Sequence, residues 1–189
     1  PLLLPYDYRM DQHKLGIVIL AAGTASRMGN PKQLLVWEGQ SLLARAVHTA
    51  RILSPHTLVV AGAYRDQITA ACTALDVPVA FNADWSSGMG SSIRVGVATL
   101  MEQFPHLEVV IIMLVDQPLI TPDHLAGMVA LAQKPARSLV GTAYHSVIGV
   151  PALFGATYFP ELLALAGQEG ARKLLEKHRK SLVTLEFLP

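Results

Sequence analysis

Unbroken runs of apolar residues mark the strands that this chain is predicted to form. Leu15–Leu20 and Val109–Val115 are the strongest runs, Thr57–Ala61 has the same character, and Val77–Phe81 is shorter and weaker. Runs of this length, in which polar and apolar residues do not alternate, are typical of strands that helices cover on both faces. The pattern therefore predicts a buried and mainly parallel sheet.

Between these runs the apolar residues recur with the spacing of a helix. Alternation of strands and helices predicts a single α/β domain over residues 15–189. Residues 1–14 are interpreted as an N-terminal extension or a tag-like tail, because Met10 resembles a natural start. The predicted helices are Ser41–Leu53, Arg65–Leu75, Ser91–Gln103, Pro122–Ala132, Tyr158–Ala166 and Glu169–Arg179, and two further strands are predicted over Ser138–Tyr144 and Leu182–Phe187.

Composition excludes several classes of protein. The chain has 189 residues, 51% of them hydrophobic and 15% charged, and its 15 Lys and Arg against 14 Asp and Glu give a net charge of +1. We therefore expect neither disorder nor an electrostatic footprint for nucleic acid or an anionic membrane. The longest apolar run, Val109–Val115, is far shorter than the ~20 residues of a membrane-spanning helix, and residues 1–14 do not resemble a signal peptide.

Cysteine usage points to a reducing compartment. Cys72 is the only cysteine, which excludes an intrachain disulfide. No basic residue flanks it in the sequence, so we expect a buried hydrophobe on a helix rather than a nucleophile. Together with the absence of a signal peptide, this favours a cytoplasmic protein.

The loop after the first strand carries the strongest chemical signal. Ala21–Gly23 lets the backbone turn sharply and leaves its N–H groups open to a ligand. Arg27 and Lys32 add two cations to a sparsely charged region. Backbone donors and two cations together favour a polyphosphate ligand.

Two common phosphate-binding motifs do not fit this loop. A P-loop requires four residues between its glycines, whereas five separate Gly23 from Gly29. The Gly-x-Gly-x-x-Gly dinucleotide fingerprint fails at its second glycine, where Ala25 stands. The remaining alternative to a polyphosphate site is a solvated glycine loop with incidental charges.

The chain resembles a family of nucleotidyltransferases, the MobA-like NTP transferases, whose signature is Leu-Ala-x-Gly, Arg-Met-Gly and then Lys. Within that family it is most similar to molybdenum cofactor cytidylyltransferases. Guanylyl-transferring relatives typically carry Leu-Ala-Gly-Gly at this point, so the resemblance favours cytosine over guanine. The matching segments, which span residues 15 to about 179, are Leu20–Gly23, Arg27–Gly29, Lys32, Asn82, Trp85–Ile93, Leu114–Ile120, Gly149–Phe154 and Gly170–Leu175.

The resemblance implies a three-layer α/β/α, Rossmann-like nucleotidyltransferase fold. It also implies an enzyme that transfers CMP from CTP to molybdopterin, releases pyrophosphate and transiently contacts the apo-enzyme of a molybdenum hydroxylase. The residues that it implies at the nucleotide site are Leu20, Ala21, Ala22, Gly23, Arg27, Lys32, Asn82, Gly88 and Ser91.

Three charged side chains would carry the reaction. Asp116 follows the strongest strand and would bind Mg²⁺, or Mn²⁺ in its place, because such ions take one or two carboxylates together with nucleotide phosphates. By the resemblance, Lys32 would neutralise the α-phosphate and Arg27 would hold the departing β- and γ-phosphates. Gly149–Pro151 would shape the acceptor side.

The sequence also departs from the family pattern. Relatives usually close with a stretch like Asp-Ile-Asp that supplies a second metal contact, whereas this sequence closes with Glu186–Pro189. We expect either that the sequence stops short of its natural end or that metal binding is weaker. Two alternatives stay open: a related nucleotidyltransferase that uses GTP or a sugar phosphate, and a non-catalytic protein of the same fold that binds and delivers the cofactor.

Overall fold

A computed structural model describes residues 10–24, 31–132 and 134–188, which form one seven-stranded sheet flanked by helices. Most strands follow the predicted apolar runs. The sheet strands are β1 (Leu15–Ala21), β4 (His56–Ala61), β5 (Val79–Phe81), β6 (Val109–Leu114), β7 (Leu139–Tyr144), β8 (Val147–Gly155) and β9 (Val183–Glu186), and a small hairpin contains β2 (Val36–Trp37) and β3 (Gln40–Ser41). The helices are α1 (Leu42–Leu53), α2 (Arg65–Ala74), α3 (Met89–Gln103), α4 (Pro122–Leu131), α5 (Phe159–Leu163) and α6 (Ala171–Lys177).

The sheet is mainly parallel, as predicted. Its strands lie in the order β5-β4-β1-β6-β8-β7-β9, and β8 alone runs against the others. β1 is central and pairs in parallel with β4 and β6, so that Ile17 lies between Thr57 and Ile111. The chain adds β4 and β5 on one side of β1 and then places β6 on the other.

Alternate residues of the central strands pack against different helix layers. Ile17 and Ile19 of β1 belong to a buried cluster with α1, α2 and α4, whereas Val18 and Leu20 belong to a second cluster with α3, α5 and α6. All seven residues of β1 are buried, which is why its sequence shows no alternation. The predicted three-layer α/β/α architecture is therefore confirmed.

Local capping fixes where the helices begin. The Ser41 hydroxyl accepts from the N–H of Ala44 at 3.1 Å, and the Thr121 hydroxyl accepts from the N–H of His124 at 3.2 Å. Pro122 follows Thr121 in the first turn of α4, where a missing N–H costs nothing. The two caps stand at the predicted start of α1 and directly before the predicted start of α4.

The second half of the chain differs from the prediction. The apolar pattern does not predict strand β8, because Gly149 and Pro151 interrupt its apolar residues. α5 spans only Phe159–Leu163 of the predicted Tyr158–Ala166, and α6 only Ala171–Lys177 of the predicted Glu169–Arg179, so both helices are shorter than expected.

Part of the expected N-terminal tail packs on the domain. Residues 10–14 are described: Gln12–Lys14 forms a 3-10 turn, and Met10 packs against the buried cluster on the α1 side. Lys14 Nζ lies 2.6 Å from Glu108 Oε1. This ion pair joins the amino ends of β1 and β6.

Candidate active site

A cavity of about 460 Å³ lies at the carboxyl ends of β1 and β6, beside the predicted residues. Ligands of open α/β sheets bind at the carboxyl ends of the strands, at the point where the strand order reverses. The cavity is lined by Leu20, Ala21, Ala22, Gly23, Thr24, Lys32, Gln33, Trp85, Ser86, Gly88, Met89, Ser92, Leu114, Val115, Asp116 and Gln168.

The loop that follows β1 is held by its carbonyl oxygens. Gln33 Nε2 donates to the carbonyl oxygens of Ala21 at 2.8 Å and Gly23 at 2.9 Å. The N–H of Ala63 donates to the carbonyl oxygen of Ala22 at 3.1 Å. In a trans peptide the N–H points opposite to the preceding carbonyl. The N–H groups of Ala22 and Thr24 therefore point away from Gln33, and the N–H group of Gly23 points away from Ala63.

Lys32 and Asp116 come together at this cavity. Lys32 Nζ donates to Asp116 Oδ2 at 2.9 Å, although 84 residues separate them in the sequence. Their side chains keep 50% and 35% of their exposure, so both charged groups are accessible to a ligand. Two opposite charges beside small-residue backbone are suited to a phosphate and its counter-cation.

The donor set around Asp116 fits a cation that shares its ligands with a nucleotide. Within the described residues no group of three or more His, Cys, Asp or Glu side chains is placed to hold a metal. Glu186 lies in β9, three strand positions from β6, or about 14 Å at the usual strand spacing. Among the described residues that line the cavity, Asp116 is the one carboxylate, and Mg²⁺ or Mn²⁺ there would need phosphate oxygens and water.

Asn82 is buried behind the cavity wall. It is 2% exposed, and its Nδ2 donates to the hydroxyls of Ser91 at 2.7 Å and Ser92 at 2.9 Å. Its Oδ1 accepts from the N–H of Asp84 at 3.0 Å. Asn82 thereby fixes the start of α3, where Ser92 lines the cavity and Ser91 does not.

Gly88 joins two distant parts of the chain at the cavity. Its φ of +128° is a conformation open essentially to glycine, and a Cβ there would run into the carbonyl oxygen of Gly167. The N–H of Gly90 donates to the same oxygen at 3.2 Å. This contact brings Gln168 into the cavity wall.

Arg27 lies outside the described residues, so its predicted phosphate contact stays a prediction. The predicted acceptor segment Gly149–Pro151 lies in β8, whose Val150 carbonyl accepts from Gln117 and Tyr144. The structure adds Gln33 and Gln168 to the site. Neither was predicted. Gln33 binds backbone atoms, which no residue type indicates, and Gln168 reaches the cavity only because the segment around Gly167 packs against Gly88.

Two further observations concern burial and length. Cys72 is fully buried on α2, as predicted, and burial raises the pKa of its thiol to about 11. Across residues 10–24, 31–132 and 134–188, the helices are all too short or too polar to span a bilayer.

Comparison with known proteins places this arrangement in a family. The sequence model of the MobA-like NTP transferase domain matches residues 17–182. The chain is 32% identical over 170 residues to the purine catabolism protein PucB of Bacillus subtilis (strain 168), covering 84% of this chain and 79% of PucB. It is 31% identical over 170 residues to the nicotine blue oxidoreductase of Paenarthrobacter nicotinovorans, covering 85% and 80%.

Solved structures agree with the sequence comparison. The crystal structure of Rv0371c from Mycobacterium tuberculosis H37Rv is 29% identical, with a TM-score of 0.76 over 92% of this chain and 87% of that one. A manganese complex of Rv0371c is 27% identical by the same comparison, with a TM-score of 0.76 over 92% and 88%. The chain therefore belongs to the MobA-like NTP transferase domain family.

Proposed function

We propose that this chain transfers CMP from CTP to the terminal phosphate of molybdopterin and releases pyrophosphate. The family is one of nucleoside triphosphate transferases. The choice of base and acceptor rests on the sequence resemblance described above. The observation that carries the proposal is the pairing of Lys32 with Asp116 at the mouth of the cavity.

The reaction is a direct displacement. A terminal phosphate oxygen of molybdopterin forms a bond to the α-phosphorus of CTP, and the bond from that phosphorus to the bridging oxygen breaks. Pyrophosphate leaves with the electron pair of the broken bond. The attacking phosphate is already anionic near neutral pH, so the protein must chiefly orient the reactants and neutralise charge.

The two charges of the site would separate on substrate binding. Lys32 would turn from Asp116 to the α-phosphate, while Arg27 would hold the β- and γ-phosphates. The N–H groups of Ala22, Gly23 and Thr24 would add neutral donors. Because Lys32 and Asp116 are both partly exposed, this exchange of partners requires no burial of an unpaired charge.

Asp116 would hold the divalent cation. When bound, Mg²⁺ or Mn²⁺ neutralises phosphate charge and helps to align the triphosphate. The lone carboxylate and the manganese complex of a relative that is 27% identical support this role.

Pyrophosphate release is the direct test. We expect the purified protein to release pyrophosphate with CTP, Mg²⁺ and molybdenum-loaded molybdopterin, to be faster with CTP than with GTP, ATP or UTP, and to lose activity with EDTA. A preference for GTP, or for a sugar phosphate as acceptor, would overturn the assignment of substrate. Tight CTP binding with no pyrophosphate release would instead identify a delivery protein.

A second candidate is a redox reaction, suggested by the relative named nicotine blue oxidoreductase. The buried thiol of Cys72, with its raised pKa, offers no accessible redox group, so such a reaction would need an external hydride donor. Oxidation of NADH or NADPH, followed at 340 nm with a quinone-like acceptor, separates the two functions. We expect none.

A further inference from the structure

The pairing between β6 and β8 stops just before the candidate site. It runs from Val109 opposite Gly155 to Ile112 opposite Ala152. Continued by one residue, this register would set Met113 opposite Pro151, which has no N–H to donate. Continued by two, it would set Leu114 opposite Val150.

The side-chain amide of Gln117 lies between the two backbone groups of that last pair. Its Oε1 accepts from the N–H of Leu114 at 3.3 Å, and its Nε2 donates to the carbonyl oxygen of Val150 at 2.8 Å. The second Nε2 hydrogen is donated to Tyr144 Oη at 2.9 Å. The opposite amide orientation would set two oxygens against each other at Val150, so these contacts fix it.

Tyr144 completes the bridge from β7. Its hydroxyl donates to the Val150 carbonyl oxygen at 2.7 Å while it accepts from Gln117. Burial raises the pKa of Tyr144, which keeps this hydroxyl protonated in the neutral range. The end of β6 is thereby tied to both β7 and β8 by side chains, in place of a backbone ladder.

The bridge encloses Asp116. The only residues between Leu114 and Gln117 are Val115 and Asp116, and the N–H of Val115 donates to the Leu20 carbonyl of β1 at 3.2 Å. Gln117 also accepts through its own carbonyl from the N–H of Ile120 at 3.1 Å. Both flanks of Asp116 are therefore held by hydrogen bonds, while its carboxylate stays exposed toward Lys32.

We infer that Gln117 is a positioning residue for the metal-binding carboxylate: its amide extends the β6–β8 pairing past Pro151 and so fixes the turn that presents Asp116. This inference rests on the proposed function for its catalytic consequence. The bridge itself consists of hydrogen bonds among residues that the structure describes. A side chain that holds a metal ligand in place typically changes metal affinity or activity by about 10- to 100-fold when it is removed.

The test uses the full chain and two substitutions. Gln117→Met keeps the shape but removes all three polar contacts of the amide, and Gln117→Glu keeps an acceptor for Leu114 but loses the donors to Val150 and Tyr144. Gln67→Met, at an exposed position of α2, is the matched control. Three quantities are measured: amide exchange of Leu114, Mn²⁺ binding to the enzyme–CTP complex by electron paramagnetic resonance, and the kinetic constants.

For Gln117→Met we expect Leu114 to exchange faster by about tenfold, the equivalent of one lost hydrogen bond. We expect Mn²⁺ affinity and kcat to fall by about 10- to 100-fold with a smaller change in the KM for CTP. Gln117→Glu should lower Mn²⁺ affinity and kcat similarly while Leu114 exchange stays close to the wild type, and Gln67→Met should match the wild type throughout. A general loss of stability would lower the melting temperature without this selective loss of Mn²⁺ binding.

Native Mn²⁺ affinity in folded Gln117→Met, with or without faster Leu114 exchange, would overturn the inference. If Gln117→Met does not fold, Tyr144→Phe decides the question: it keeps Gln117 on Leu114 and Val150, so Mn²⁺ affinity should stay within about threefold of the wild type. A larger loss in Tyr144→Phe would show that Tyr144, not Gln117, holds the turn. Absence of transferase activity in the wild type would refute the proposed function. The Mn²⁺ affinities of the wild type and Gln117→Met would still test whether Gln117 positions Asp116.

Discussion

Lys32 Nζ lies 2.9 Å from Asp116 Oδ2 beside the carboxyl ends of β1 and β6, and a second ion pair lies at the amino ends of these two strands. There Lys14 Nζ lies 2.6 Å from Glu108 Oε1, with side-chain exposures of 43% and 36% against 50% and 35% for the first pair. Pairs this exposed contribute about 0–1 kcal/mol to stability. The two pairs therefore offer a comparison in which stability is matched and only the location differs.

Removal of either charge at the cavity should abolish turnover and leave the fold intact. We expect Lys32→Ala and Asp116→Ala to lower kcat/KM for CTP by about 100- to 1,000-fold or more, because each loses a charge that faces the phosphates or their cation. The free energy of unfolding should change by less than about 1 kcal/mol. Turnover is measured by pyrophosphate release and stability by urea denaturation.

Glu108→Ala is the control for both variants. It removes an equally exposed carboxylate at the opposite edge of the sheet and should retain wild-type turnover. Near-native, Mg²⁺-dependent turnover by folded Asp116→Ala would refute the metal assignment.

Gln33→Leu should weaken nucleotide binding more than it slows the reaction. The substitution removes both hydrogen bonds that hold the carbonyl oxygens of Ala21 and Gly23, so the N–H groups of Ala22 and Thr24, on the other side of the same peptides, are no longer fixed in direction. We expect the KM for CTP to rise about tenfold, the value of one to two hydrogen bonds, with a smaller change in kcat. An unchanged KM, measured beside Gln67→Leu, would contradict this role.

Gly88→Ala should destabilise the protein strongly. Alanine would have to adopt a φ of +128° and place its Cβ against the carbonyl of Gly167. We expect a loss of about 3 kcal/mol or more in the free energy of unfolding, from backbone strain and steric overlap together. Thermal melts of both variants measure the effect. Gly149→Ala, whose Cβ would meet no atom within 4 Å, should change the free energy of unfolding far less than Gly88→Ala.

Cys72 should resist thiol reagents while the protein is folded. Its pKa is raised to about 11 by burial, so at pH 8 the thiol is both inaccessible and protonated. Labelling with iodoacetamide, followed by mass spectrometry, should be negligible in buffer and rapid in guanidinium chloride. Rapid labelling of folded protein would show that α2 opens readily.

The elements that the sequence predicted well are those whose environment is uniform. β1 and β6 are covered on both faces, so their apolar runs are unbroken and their carboxyl ends are easy to locate. The meeting of Lys32 with Asp116 follows from that geometry together with the family resemblance. The apolar pattern does not predict β8 because Gly149 and Pro151 interrupt it. Whether a strand can include a glycine and a proline depends on the strands beside it, and the local sequence does not contain that information.

The polar supports of the site were harder to foresee for a different reason. Gln33 and Gln117 each follow a charged residue of the candidate site, and both bind backbone atoms. A backbone carbonyl is present at every position, so no pairing of residue types indicates the contact in advance. Asn82 was placed near the nucleotide by resemblance, whereas its amide is occupied by Ser91, Ser92 and Asp84.

The contact between Gly88 and Gly167 has a consequence for biosynthesis of the protein. A ribosome would have to synthesise nearly the whole domain before the segment around Gly167 emerges and closes one side of the cavity. The nascent chain would already display its early loop by then, yet without the later wall. The cavity would thus be complete only after that later segment has left the ribosome.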